Sequence, residues 1–86
     1  MSELRYDRPL DLLNKMVERG IEVLIKLKDG TEYTGVIESA DLSMNLIVNN
    51  AIQIGEDGAP IINYGRIFIR GSNIVFVAVK EDKVIL

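Results

Sequence analysis

Residues 74–79 read Ile-Val-Phe-Val-Ala-Val, a run with no polar side chain in it. As a β-strand it turns Ile74, Phe76 and Ala78 to one side and Val75, Val77 and Val79 to the other, so both faces require burial. A chain of 86 residues reads as one domain, residues 1–86, and withdraws only about 60 to 65% of its unfolded surface from water, too little core to cover both faces. An apolar edge left in water is a route to aggregation, and a neighbouring copy is the economical cover. If this strand pairs with an edge of the next subunit, the contact is head-to-tail, and such contacts close into rings or grow into fibres.

Other routes to stability are closed. The chain has no cysteine and no histidine, which removes disulfides, tetrahedral zinc sites of the S/N type and nucleophile-plus-imidazole catalysis. No cofactor is expected. Apolar residues make up 48% and charged residues 27% of the chain, ordinary for a water-soluble domain, and the apolar runs are too short and too broken by charge to span a bilayer. The opening Met-Ser-Glu-Leu-Arg-Tyr-Asp-Arg-Pro-Leu carries both signs of charge and does not read as a secretory signal, so a cytoplasmic location is expected. The net charge of −3 argues against wrapping nucleic acid by neutralising many phosphates. Local base recognition stays open where a few cations are focused.

The apolar period changes along the chain. Leu10, Leu13, Met16 and Val17 recur at helical spacing behind Pro9, which predicts an amphipathic helix over about 7–19, stopped by Gly20 with Arg19 at its negative end. Ile21, Val23, Ile25 and Leu27 then alternate with Glu22, Lys26 and Lys28, a half-buried strand over 21–28. Asp29-Gly30 between alternating segments predicts a hairpin with a type I′ turn. A second strand over 31–40 contains Gly35, where a bend or close backbone approach is expected. Strands over 44–52, 62–70 and 73–80 follow, with a turn or loop in Gln53 to Pro60 and another at Arg70 to Asn73. The expected architecture is mainly β: a short helix followed by a strongly bent five-stranded antiparallel sheet, a small open barrel.

The order of these features resembles the Sm and Sm-like (LSm) RNA-binding proteins, most closely the archaeal kind. One motif is carried by the hairpin from Val23, Gly35 in Tyr-Thr-Gly-Val-Ile, and Asp41, Met44 and Asn45 in Asp-Leu-Ser-Met-Asn; the second runs from Ile69 to Val77, Ile-Arg-Gly-Ser-Asn-Ile-Val-Phe-Val. The resemblance implies subunits joined strand four to strand five in a ring, a heptamer more often than a hexamer among archaeal members. It also implies uridine-rich single-stranded RNA at the inner rim of the pore, one base per subunit, with contacts from Asp41, Ser43, Asn45, Arg70 and Gly71.

These residue types suit the task. An Asn side chain offers an acceptor beside a donor, matching N3–H beside O4 on uracil, while cytosine presents the reverse order. Discrimination requires an amide that does not flip, and Asp41 is the expected clamp, taking one NH₂ hydrogen of Asn45 and leaving the carbonyl for the base. The Arg70 guanidinium can stack on a base, worth about 1–3 kcal/mol in single-strand binders. Relatives usually place a His or an aromatic residue on the other face. Here Ser43 stands there, and Ser72 and Ala40 replace an acid and a tyrosine found in relatives, so each slot should bind weakly, with ring multivalency compensating.

Taken singly, the same residues have plainer uses. Asn45 can bond its own turn, Asp41 can accept backbone amides, Arg70 can be a solvated charge and Gly71 can supply a positive φ. Their joint occurrence at family spacing favours binding. Gly-Glu-Asp-Gly at 55–58 lacks the Lys-Ser/Thr of a phosphate loop and is read as a solvated turn; no metal is assigned. Arg8 is read as a surface salt-bridge residue, with an RNA contact on the helix face as the alternative, and Tyr64 and Phe68 as packing or interface residues. The expected function is a non-enzymatic RNA-binding ring serving RNA processing or turnover, with RNA-processing proteins as further partners and no membrane contact. The rival is a protein-binding ring with little RNA affinity, and an RNA-cleaving enzyme stands last because the acids are scattered.

Overall fold

The computed structural model describes residues 9–80; the expected helix start at residues 7 and 8, Arg8 included, lies outside them. Helix α1 spans Pro9–Arg19. Leu13 and Met16 lie on its buried stripe, and Val17 packs against the same core. Gly20 ends it at φ 62°: its N–H donates to the Val17 carbonyl at 3.2 Å and the Ile21 N–H reaches back to Met16 at 3.2 Å. This pair of bonds, closed by a left-handed glycine, satisfies the last helical carbonyls and swings the chain into the sheet.

Five strands follow: β1 (Glu22–Leu27), β2 (Glu32–Ala40), β3 (Leu46–Ile54), β4 (Pro60–Ile69) and, after a single 3₁₀ turn at Gly71–Asn73, β5 (Ile74–Val79). They form one antiparallel sheet in the order β4-β3-β2-β1-β5, so that β4 and β5 are its two outer strands. The inward face carries Val23 and Ile25 of β1, Ile37 of β2, Leu46, Val48 and Ala51 of β3 and Ile69 of β4. Each large side chain so buried contributes about 1.5–3 kcal/mol by leaving water. Gly35 explains the bend: a Cβ there would lie 2.5 Å from Val48 Cγ1 and 2.9 Å from the Asn49 carbonyl oxygen, so β2 and β3 can cross this closely only over a residue without a side chain. The register slips beside it, from Thr34↔Ile52 to Val36↔Asn49, and Asn50 sits at φ 53°.

Several local expectations are corrected. The first hairpin does not use a type I′ turn, since of Asp29 and Gly30 only Gly30 has positive φ, at 92°. The Gly30 N–H donates to the Leu27 carbonyl and the Leu27 N–H to the Thr31 carbonyl, both at 2.9 Å. This is the three-residue loop in which a left-handed residue follows an ordinary turn. Strand β3 begins at Leu46, not Met44, because residues 44 and 45 belong to the preceding turn. Strand β4 starts at Pro60, two residues early; proline is tolerated there because β4 lies at the sheet edge. In β5 the strict alternation is broken. Leu27 faces Ile74 and Lys26 faces Phe76, so Val75 is an extra residue, and it is Ile74 and Val77 that pack on the core.

What remains outside is concentrated on the outer strands. Ile61, Ile62, Tyr64 and Phe68 of β4 and Val75, Phe76 and Val79 of β5 are exposed in the isolated chain. Tyr64 and Phe68 therefore do not pack the core; Tyr64 leans on Tyr33 with ring centroids 6.1 Å apart and donates its hydroxyl to Gln53 Oε1 at 3.3 Å.

Candidate functional site

The segment between β2 and β3, Asp41 to Asn45, repeats the backbone of the first hairpin loop. The Met44 N–H donates to the Asp41 carbonyl at 2.9 Å, the Asp41 N–H to the Asn45 carbonyl at 3.2 Å, and Met44 takes the left-handed conformation at φ 64°. A non-glycine residue there costs about 1–2 kcal/mol. The loop is held by the side chain that opens it: Asp41 Oδ1 accepts the N–H groups of Ser43 at 2.9 Å and Asn45 at 3.0 Å, and Oδ2 accepts Asn45 Nδ2 at 3.0 Å. The Asn45 backbone N–H, then its side-chain amide, then the Ser43 N–H hold the Asp41 carboxyl below its ordinary 3.8. It stays ionised and acceptor-only at neutral pH.

A second segment closes on the first. The Gly71 N–H donates to Asn45 Oδ1 at 2.9 Å, so the amide is gripped at both ends, its nitrogen by a carboxylate and its oxygen by a backbone N–H. Flipping it would set oxygen against oxygen and N–H against N–H, so one orientation is enforced. This modifies the expected geometry: the Asn45 carbonyl is not wholly vacant, since Gly71 occupies part of its acceptor capacity. One NH₂ hydrogen and one lone pair remain, a donor beside an acceptor.

Gly71 is not glycine for the reason a turn alone would suggest. Its φ is not positive. A Cβ there would run into the Ser43 carbonyl oxygen and lie 2.7 Å from the Met44 carbonyl carbon and oxygen, all backbone atoms that cannot yield. The close approach of the two segments is what forbids a side chain. Arg70, just before, is extended at φ −74° and ψ 134° and exposed. The described ion pairs engage Lys15, Lys26, Arg66 and Lys80, leaving the Arg70 guanidinium unneutralised among the described residues in a chain of net charge −3. Ser43 is exposed beside them.

The structure thus brings Asp41, Ser43, Asn45 and Gly71 into direct hydrogen-bonded or packing contact, with Arg70 at their margin. Two features escaped sequence reasoning. One is Met44, whose left-handed backbone was legible only by comparing it with the glycine in the matching position of the first hairpin. The other is Lys28, whose N–H donates to the Asn73 carbonyl at 2.8 Å and ties the first hairpin to the 3₁₀ turn. No local pattern signals that contact.

Comparison with known proteins shows which family the chain is similar to. The sequence pattern of the LSM domain matches residues 11–79. A protein of Thermococcus sibiricus described as snRNP Sm-like is 39% identical over 75 residues, 87% of this chain and 95% of the relative. Among solved structures, a heptameric archaeal Sm protein superposes with a TM-score of 0.73 at 30% identity, covering 83% of this chain and 98% of that one. The Pyrococcus abyssi Sm protein, solved in complex with a uridine heptamer, superposes with a TM-score of 0.77 at 31% identity, covering 86% and 100%. With the motif match spanning most of its length, the chain belongs to the LSM domain family, the Sm-like proteins.

Proposed function

We propose that the chain assembles into a ring, a heptamer as in its archaeal neighbour, and holds uridine-rich single-stranded RNA at the inner rim of the pore as a non-catalytic cytoplasmic scaffold in RNA processing or turnover. The observation that carries this reading is the Asn45 amide locked in one orientation by Asp41 and Gly71. Asn45 reads the N3–H and O4 edge of uracil, Asp41 orients it, Gly71 admits the backbone approach, Arg70 stacks on the base or clamps the phosphodiester, and Ser43 is a stacking position without a ring. The apolar outer strands supply the assembly: β4 of one subunit pairs with β5 of the next, covering Phe68 on one side and Val75 and Phe76 on the other. The complex of a neighbour with a uridine heptamer supports the ligand class.

The test is a titration of labelled oligo-U, oligo-C and oligo-A against the assembled particle, its mass measured by ultracentrifugation. A uridine preference that disappears in Asn45→Ala and Arg70→Ala with the ring intact is expected. A ring that binds no oligonucleotide at low salt overturns the RNA reading. It would leave the second one, a ring that works by binding proteins, which Ser43 and the acidic balance favour.

A further inference from the structure

Met44 is the unusual residue of the loop. Gly30 and Gly58 hold the same position in the other two hairpin loops, at φ 92° and 82°, where Met44 stands at 64°. Nothing in the backbone hydrogen bonds explains a side chain here, since glycine serves identical bonds elsewhere: Gly58 N–H to the Gly55 carbonyl and Gly55 N–H to the Ala59 carbonyl, both 2.9 Å. Strained residues persist where the surroundings over-determine them, and they cluster at functional sites. The surroundings of Met44 are specific. Its side chain is partly buried against the core and forms one wall of an apolar groove, together with Leu12, Leu13 and Met16 of α1 and Ile74 and Val77 of β5. Its carbonyl is the wall against which Gly71 rests, and Gly71 in turn holds Asn45 Oδ1.

We propose that Met44 is a positioning residue for base selection: its side chain anchors the Asp41–Asn45 loop against the core beside the helix and β5, and so fixes the place of the Asn45 amide between Asp41 and Gly71. The inference rests on the reading of Asn45 as the group that meets the base. The anchor joins three elements of separate sequence origin at the residue immediately before that amide. A glycine would make the loop easier to form and would leave it hinged at the point where the site needs rigidity. The left-handed strain is retained because the side chain has a task that glycine cannot perform.

The experiment compares wild type, Met44→Leu, Met44→Gly and Met44→Ala as assembled rings. The readouts are the ratio of oligo-U to oligo-C affinity and, without RNA, hydrogen exchange of the Asn45 side-chain NH₂ by ¹⁵N NMR. Leucine restores the packing on the core and should keep both within about twofold of wild type. Glycine relieves the backbone but removes the anchor, and should lower the uridine preference by about tenfold, equivalent to about 1.4 kcal/mol, with faster exchange of the Asn45 amide. If Met44→Gly does not fold, Met44→Ala removes the same anchor and gives the same two readouts. A Met44→Gly or Met44→Ala ring with wild-type preference and unchanged exchange overturns the proposal. Wild type without uridine preference, but with an Asn45 amide that exchanges faster in the variants, would instead count against the RNA reading and leave the positioning role standing.

Discussion

The loops at 27–31, 55–59 and 41–45 share one backbone design and differ in what their aspartate holds. In the first two, Asp29 and Asp57 occupy the third position, and among the described residues each carboxylate serves its own turn, Asp29 through the N–H and hydroxyl of Thr31 at 2.9 and 2.7 Å and Asp57 through the Ala59 N–H at 3.0 Å. In the third loop the aspartate has moved to the first position, accepts two backbone N–H groups and still has an oxygen left for Asn45. A left-handed glycine closes the first two loops, while Met44 closes the third with a partly buried side chain packed against the core. The first two loops therefore make hairpins and stop. The third uses the same hydrogen bonds to aim an amide.

The largest break in that comparison comes from adding a methyl group. Gly71→Ala places Cβ against backbone atoms of Ser43 and Met44 and should cost about 3 kcal/mol, the upper range for overpacking. In Gly58→Ala nothing lies within 4 Å of the new Cβ, so only the left-handed backbone is strained, at about 1 kcal/mol. Urea unfolding midpoints of the two variants give the contrast; equal losses would mean that the second segment does not pack tightly on the site loop.

Removing the two aspartates separates closure from aiming. Asp41→Ala should lower the oligo-U over oligo-C affinity ratio by about tenfold, the scale of one well-placed base contact, because the Asn45 amide loses the partner of its nitrogen. Asp57→Ala should leave the ratio unchanged and weaken only the loop it closes. A fall in the ratio for both variants would show that loop stability alone governs selection.

The smallest effect is that of pH. Asp41 and Asp29 both ionise below their ordinary 3.8, Asp41 chiefly through the Asn45 N–H and Asp29 chiefly through the Thr31 hydroxyl. A carboxyl depressed in the folded state stabilises it above the unfolded value, and that stabilisation is lost as pH falls through the folded value. Uridine preference should therefore be flat from about pH 5 to 8 and decline only as the pH drops below 3.8 towards the folded value of Asp41. Titrating the Asp57→Ala and Asp41→Ala rings side by side isolates the contribution: the decline should persist in the first and vanish in the second.

Much of the fold was legible because periodicity is local. The alternation of Val23 and Ile25, the helical spacing of Leu13 and Met16, and the interior glycine at 35 each have a single economical reading in water, and the structure buries or crowds all of them. The turn at Asp29-Gly30 was misread because a dipeptide does not report which of its residues takes positive φ. The faces of β5 were misread because a bulge at Val75 leaves no mark in an all-apolar run. Contacts across long sequence separations were out of reach: Arg66 forms a two-point ion pair with Glu38, 28 positions away, at 2.8 and 2.9 Å, and neither side chain carries a local sign of its partner.

For the site the division is sharper. From composition and order alone came an amide with a carboxylate four residues before it, an Arg-Gly pair after the fourth strand, and one all-apolar strand at 74–79 in a chain too small to bury both its faces. These are properties of neighbouring side chains and of total length, and water enforces them whatever the fold. Only the tertiary structure decided that the Gly71 N–H meets the Asn45 carbonyl, that no Cβ fits between those segments, and that the Met44 side chain packs on the core where it lines a groove with helix and β5. Those outcomes depend on how a bent sheet brings the ends of its strands together, and hydrogen-bond geometry at 2.9 Å is set by that closure rather than by any stretch of chain alone.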